Sequence, residues 1–160
     1  MGNDEFPLAY FITWTTYGSW LPGDERGWVK RGERTVQPPD PLRREAAAQA
    51  MSEDAVVLSP AQRSAIDAMI ARHCAFRGWI LHARNARTNH VHVVASAAAT
   101  GETMRSQLKS WCSRALSEQA GLVGRGRNGQ RRWWTEGGDV EWIDNDESLS
   151  NVIQYVNELQ

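Results

Sequence analysis

Long apolar runs are missing from this chain of 160 residues. None approaches the ~18–20 residues that a membrane helix needs, so no membrane span is expected. Cysteine is scarce. Cys74 and Cys112 stand far apart and fit no zinc spacing, which argues against a cysteine zinc site. Both are expected to stay reduced in a cytoplasm, in structural roles. A basic opening is also lacking: Met1-Gly2-Asn3-Asp4-Glu5 is acidic, unlike a secretory signal. Internal repeats are absent. One domain over residues 1–160 is expected, with an inserted region at about 18–58, in the cytoplasm.

Charge is present but unevenly placed. The formal net charge of −1 would by itself argue against a nucleic-acid binder. Residues 1–59 carry a net −3, residues 60–134 a net +9, and residues 135–160 a net −7 with no basic side chain at all. A segment at +9 is the kind of local field that attracts a polyanion. The acidic tail could shield it or help to hold a cation. An unevenly charged, solvated surface fits the same numbers.

The pattern along the chain predicts an α+β fold. Ala9 to Thr16 is aromatic and β-branched and reads as a first strand. Turn residues follow, and the mixed stretch to Leu58 holds an alanine-rich piece, Arg43 to Met51, that reads as a short helix. Ser59-Pro60 reads as an N-cap with proline at the first helical position. The helix it opens, Ala61 to Phe76, has apolar residues at Ala65, Ile66, Met69, Ile70 and Cys74 and stops at Gly78. Trp79 to Ala83 and His90 to Ser96 read as two strands of a hairpin, with Arg84 to Thr88 as the polar turn. Thr100 starts a helix through Met104, Leu108, Trp111, Cys112 and Leu116. Arg132 to Thr135 and Val140 to Ile143 read as strands around a turn at Gly137-Gly138. Asp144 to Glu147 opens a last helix. This order is the ferredoxin-like, split βαβ plan: an antiparallel sheet, two main helices and an added C-terminal helix carrying a tyrosine.

The chemistry concentrates at two places. In Asn89-His90-Val91-His92-Val93-Val94, alternate side chains of a strand share a face, so His90 and His92 project together. Two imidazoles and one oxygen donor suit a divalent ion, Mn²⁺ or hydrated Mg²⁺. In the last helix, Leu149, Val152, Ile153, Val156 and Leu159 form an apolar stripe with Tyr155 at its edge, between Asn151 and Glu158. Glu158 is the nearest carboxylate to complete a metal site, with Gln160 behind it. A metal clamp with a tyrosine suits phosphodiester cleavage through a covalent intermediate. Each part also has a plainer reading: surface or core histidines, and a tyrosine at the rim of a core.

The chain has 8 tryptophans. Single-strand binders combine cationic grooves with stacking aromatics, so single-stranded or hairpin nucleic acid is the expected partner. Trp20, Trp28 and Trp133 lie beside loops or charges. Trp14, Trp79 and Trp111 fit apolar positions and read as core. Arg105 and Lys109, one helical turn apart, suit phosphate contacts, and Arg125, Arg127, Arg131 and Arg132 form a basic arm.

The ordered set resembles the single-tyrosine HUH transposases, the insertion-sequence transposases and their REP-associated tyrosine transposase branch. It comprises the H-V-H strand, a basic helix and a terminal-helix tyrosine in Val152-Ile153-Gln154-Tyr155-Val156. The opening Phe11 to Asp24, with its Trp20-Leu21-Pro22-Gly23-Asp24, looks like members of the group too. The resemblance covers almost the whole chain. It implies divalent-metal-dependent cleavage of single-stranded or hairpin DNA, a 5′-phosphotyrosine link, and rejoining without a separate energy source. By position, His90 and His92 would hold the metal and Tyr155 would be the nucleophile. Many relatives place a glutamine four residues after the tyrosine as third ligand. Here that position is Leu159, so Glu158 or Gln160 must substitute. The resemblance allows a monomer or a homodimer in the prokaryotic cytoplasm, associated with the nucleoid. It also allows a catalytically silent hairpin-DNA-binding regulator. A replication initiator or relaxase shares the chemistry but is usually longer.

Overall fold

The computed structural model describes residues 5–30, 33–51, 54–122 and 131–158. In chain order these form β1 (Ala9–Thr15), β2 (Trp28–Val29), β3 (Val36–Gln37), α1 (Pro41–Gln49) and α2 (Pro60–Arg77). There follow β4 (Ile80–Ala86), β5 (His90–Ser96), α3 (Gly101–Gln119), β6 (Asp139–Ile143) and α4 (Asp146–Glu158). The sheet runs β4-β5-β1-β6, and every neighbouring pair is antiparallel. With α2 and α3 as crossovers, that is the split βαβ arrangement expected from the pattern.

Period-2 alternation sorts the sheet into two faces. Tyr10, Ile12 and Trp14 of β1 and Val91, Val93 and Ala95 of β5 are buried against one layer. That layer is built from Ile66, Ile70 and Cys74 of α2 and Met104, Leu108, Cys112 and Leu116 of α3. Burying each large aliphatic side chain is worth ~1.5–3 kcal/mol, so this face holds the register. The helices start where their caps dictate. Ser59 and Gln62 form a reciprocal capping box on α2, and Thr100 accepts from the Thr103 amide on α3. Gly78 closes α2 in the left-handed region at φ 72°.

The opposite face is only partly covered. Asn145 caps α4 by accepting from the Ser148 amide at 2.8 Å. The helix then buries Val156 and packs Leu149, Val152 and Ile153 on Ala9, Phe11, Ala83, Val94 and Ile143. No helix among the described residues is long and apolar enough to cross a membrane.

The inserted region is more ordered than a long loop. The Arg26 guanidinium donates to both carboxylate oxygens of Asp24 at 2.8 Å and to the Ser19 carbonyl at 2.6 Å. These hydrogen bonds from Arg26 hold the Asp24 carboxyl down at about 2. The short ribbon β2–β3 and helix α1, capped by Asp40, follow. Val56 and Leu58 enter the core, and their amides donate to Tyr17 and Thr88 carbonyls.

Four expectations change. Strand β4 continues through Arg84, Asn85 and Ala86, because β5 offers paired backbone as far as Ala86↔Val91. The stretch around Arg132 to Thr135 forms a single bridge rather than a strand, Thr16↔Trp134, made by the Tyr17 amide on the Trp133 carbonyl and the Thr135 amide on the Thr15 carbonyl. Trp28 and Trp133 are buried, their indole N–H groups donating to the Pro38 carbonyl and the Ser117 hydroxyl. Trp111 is 37% exposed rather than core, because it lies on the outer side of α3.

Gly138 sits at φ 137°, and a Cβ there would lie 2.6 Å from the Thr13 carbonyl. Gly138→Ala is therefore expected to destabilise the fold by about 1–3 kcal/mol. Denaturant titration checks this, and an unchanged midpoint would contradict it.

Candidate functional site

One row of side chains crosses the open face. Asn85 pairs with His92, His92 with Thr13, and Thr13 with Asp139, so the four residues lie side by side across all four strands. His90 stands one step along β5, opposite Thr15. The two imidazoles therefore project on the same face, as the spacing predicted, with ring centroids 4.7 Å apart.

Both rings are oriented by their neighbours. His90 Nδ1 lies 2.7 Å from Asn89 Oδ1, so it is the protonated nitrogen. His92 Nδ1 lies 2.9 Å from Thr13 Oγ1. A hydroxyl can accept that N–H, which leaves Nε2 of both rings as lone-pair donors. Metal-binding histidines are held in this way by the partners of their other nitrogen. Burial, then the Arg87 charge, lowers the His90 imidazole below its ordinary 6.5. Burial, then His90 and Arg87, pushes His92 down to about 4. Neutral imidazole is the form that ligates. The donor set thus fits a divalent ion whose remaining positions are filled by water or substrate oxygen.

The tyrosine comes from the covering helix. Tyr155 is 52% exposed, yet its ring packs edge-on to Phe11 and lies 6.1 Å from the His92 ring, centroid to centroid. Two contacts hold it there. The neighbouring Val156 is fully buried, and its carbonyl accepts from Asn85 Nδ2 at 2.9 Å. That carbonyl belongs to the last turn of α4, where backbone acceptors lack helical partners. Asn85 thus fixes the end of the helix beside the clamp of the same chain.

Other expected residues go elsewhere. Glu158 is exposed and accepts from Gln154 Nε2 at 2.9 Å, one turn back on its own helix. Among the described residues no group of three His, Cys, Asp or Glu side chains forms, so Glu158 does not complete one with the histidines. Leu159 and Gln160 lie outside the described residues, as do Arg125 and Arg127. Lys109 donates to the Thr135 and Gly137 carbonyls at 2.9 and 2.7 Å. Burial lowers its ammonium to about 8. It staples α3 to the 135–138 turn. Arg105 adds a bond to the Gly138 carbonyl. Arg131 donates to the Asp54 carbonyl and lies over Trp133, while Arg132 is exposed. Trp20 is 42% exposed beneath the Arg26 guanidinium, 3.9 Å from its ring centre.

Asn85, Thr13, Phe11 and Asp139 were missed by the sequence reading. Asn85 stood in an expected turn, Asp139 carries no motif, and Phe11 and Thr13 entered only as part of the opening motif, with no role. Strand register brings Asn85, Thr13 and Asp139 to the row, and Phe11 lies one pair along, against His92 and Tyr155.

Fold and site together define a split βαβ protein with a two-imidazole, one-phenol centre on its open face. Among the solved structures that resemble it are two transposases. One is a protein from Deinococcus radiodurans R1, provisionally described as a transposase, at 14% identity and TM-score 0.47. The alignment covers 98% of this chain and 94% of that one. The other is a REP-associated tyrosine transposase bound to a REP hairpin, at 11% identity and TM-score 0.46. There the alignment covers 92% of this chain and 63% of the other. No protein-family model and no curated protein matches the chain.

The depressed imidazoles set a pH dependence. The unfolded chain takes up protons near 6.5, whereas folded His92 resists them down to about 4. Stability is thus present above about 6.5 and drains away as pH falls toward 4, below which the His92 contribution stays lost. Thermal melts from pH 7 to 4 should show this slope, and His92→Asn should flatten it. Equal slopes in both proteins would reject the assignment.

Proposed function

We propose that this chain is a single-stranded DNA endonuclease and strand transferase of the tyrosine HUH transposase kind, acting on hairpin-containing DNA. The observation that carries the reading is the meeting of Tyr155 with the His90–His92 pair on one face. His90 and His92 would hold a divalent ion, Mg²⁺ or Mn²⁺. When bound, that ion supplies charge stabilisation to a scissile phosphate. The chain's own groups do the rest. Asn89 and Thr13 keep the imidazoles oriented, and burial keeps them neutral at physiological pH. Asn85 and buried Val156 hold Tyr155 in place. The Tyr155 phenolate attacks phosphorus, the bond to the 3′ oxygen breaks, and a 5′-phosphotyrosine conserves the phosphodiester energy for rejoining. The Tyr155 ring lies beside the His92 ring of its own chain, which supports action by a monomer.

A second reading is a catalytically silent hairpin-DNA-binding regulator. The pairing of Glu158 with Gln154, and the lack of a three-donor group among the described residues, favour it.

Incubation with labelled hairpin-bearing single-stranded DNA and Mn²⁺, followed by denaturing electrophoresis, separates the two. The transferase gives a protein–DNA adduct that Tyr155→Phe abolishes while oligonucleotide binding persists. His92→Ala should lower adduct yield by at least ~10–10²-fold, the scale already reached on losing a partner that merely orients a metal ligand. No adduct from the native protein, with binding intact, selects the regulator. An equal adduct from Tyr155→Phe would exclude that residue as nucleophile.

A further inference from the structure

A cavity of about 450 Å³ adjoins the clamp on the other side of Thr13. Its walls come from the start of the sheet, the inserted region and the 135–138 turn. Thr13 and Thr15 of β1, Trp20, Arg26 and Trp28 of the insertion, and Asp139 of β6 are the residues that matter. Thr13 also touches His92, so the cavity and the clamp share a wall. Asp139 lies in the same cross-sheet row as His92, about 10 Å away by strand spacing.

The lining chemistry narrows the ligand. Arg26 is the lining's cation, and Asp24 already neutralises it through a bidentate pair. The carboxylate of Asp139 is exposed, which repels a phosphate. The Trp20–Arg26 stack offers a flat π surface whose parts are locked in place. The Trp20 indole N–H donates to the Gly27 carbonyl at 2.7 Å. Arg26 is held by Asp24 and Ser19. Flat stacking surface, hydroxyls and one carboxylate are what an unstacked nucleobase uses, through its face and its pairing edge. The volume lies within the ~300–1,000 Å³ range of small-ligand sites.

The carboxylate also discriminates among bases. Guanine alone presents two adjacent N–H groups on its pairing edge, and a carboxylate accepts both. Adenine and cytosine place a lone-pair nitrogen beside their amine, and thymine flanks its single N–H with two carbonyls. We infer that this cavity binds one guanine of the single strand, beside the phosphate held at the clamp. It is stacked on the Trp20–Arg26 pair and hydrogen-bonded to Asp139. This rests on the DNA-processing reading above and assigns that site its base specificity.

The test uses the full chain carrying Tyr155→Phe with Mn²⁺ present, so that the clamp can be loaded and binding is read without chemistry. Fluorescence anisotropy compares a short fluorescein-labelled oligothymidine with the same probe carrying one guanine, adenine or cytosine. Guanine should tighten binding on the order of tenfold, the scale of one good bidentate pair. Asp139→Asn should erase that preference and leave oligothymidine binding intact. Trp20→Ala should weaken every probe roughly tenfold, and Trp20→Phe, which keeps a ring, should restore most of it. Guanine preference surviving in Asp139→Asn, or equal gains from adenine and cytosine, overturns the assignment. Binding of all probes without base preference overturns it as well, and leaves the transferase reading standing. Failure of that chain to bind any probe removes both.

Discussion

Everything at the open face depends on the central position of β5. The strand is paired on both sides, and Val91, Val93 and Ala95 are buried against α2 and α3. A shift by one residue would push His90 and His92 into that apolar layer and expose three hydrophobic side chains. Unpaired polar groups are costly to bury, so the register has no competing solution. The imidazole pair is thus held by the packing of residues that never touch it.

The second dependency runs through α4. Its apolar stripe covers the part of the open face around Ala83, Val94 and Ile143, and stops short of the histidines. Tyr155 therefore stands at the border between covered and uncovered sheet, where a hydroxyl stays wet while the ring gains contact with Phe11 and His92. Burial near this border has an electrostatic consequence: together with the Arg87 charge, it keeps the imidazoles neutral. The added helix thus supplies both the phenol and part of the dry surroundings.

Much of this was legible in advance. Caps at Ser59 and Thr100, the start of the last helix within Asp144 to Glu147, and the stop at Gly78 act through local hydrogen bonds and backbone conformation, which sequence records directly. The histidine pair follows from strand alternation, and the edge position of Tyr155 from helical spacing. Errors arose where a residue's environment depends on distant chain. Nothing local shows that the Thr135 and Gly137 carbonyls lie over Lys109 and take its hydrogen bonds. Trp111 looked like core, because the helical stripe does not reveal how wide the sheet beneath it is. Asn85 looked like a turn residue, because only pairing with β5 extends the strand that far.

Sequence alone determined the order of the main elements, the helix ends, the shared face of His90 and His92, and the amphipathic last helix. These rest on periodicity and on contacts within a few residues. Tertiary structure decided which groups meet: Tyr155 with His92, Asn85 with the Val156 carbonyl, and Asp139 with the row that ends beside Trp20. It also decided that Glu158 turns to Gln154. The physical reason is that strand order and register bring together residues far apart in the chain, Asn85 and Val156 at 71 positions and Thr13 and Asp139 farther still, and no local pattern encodes such distances.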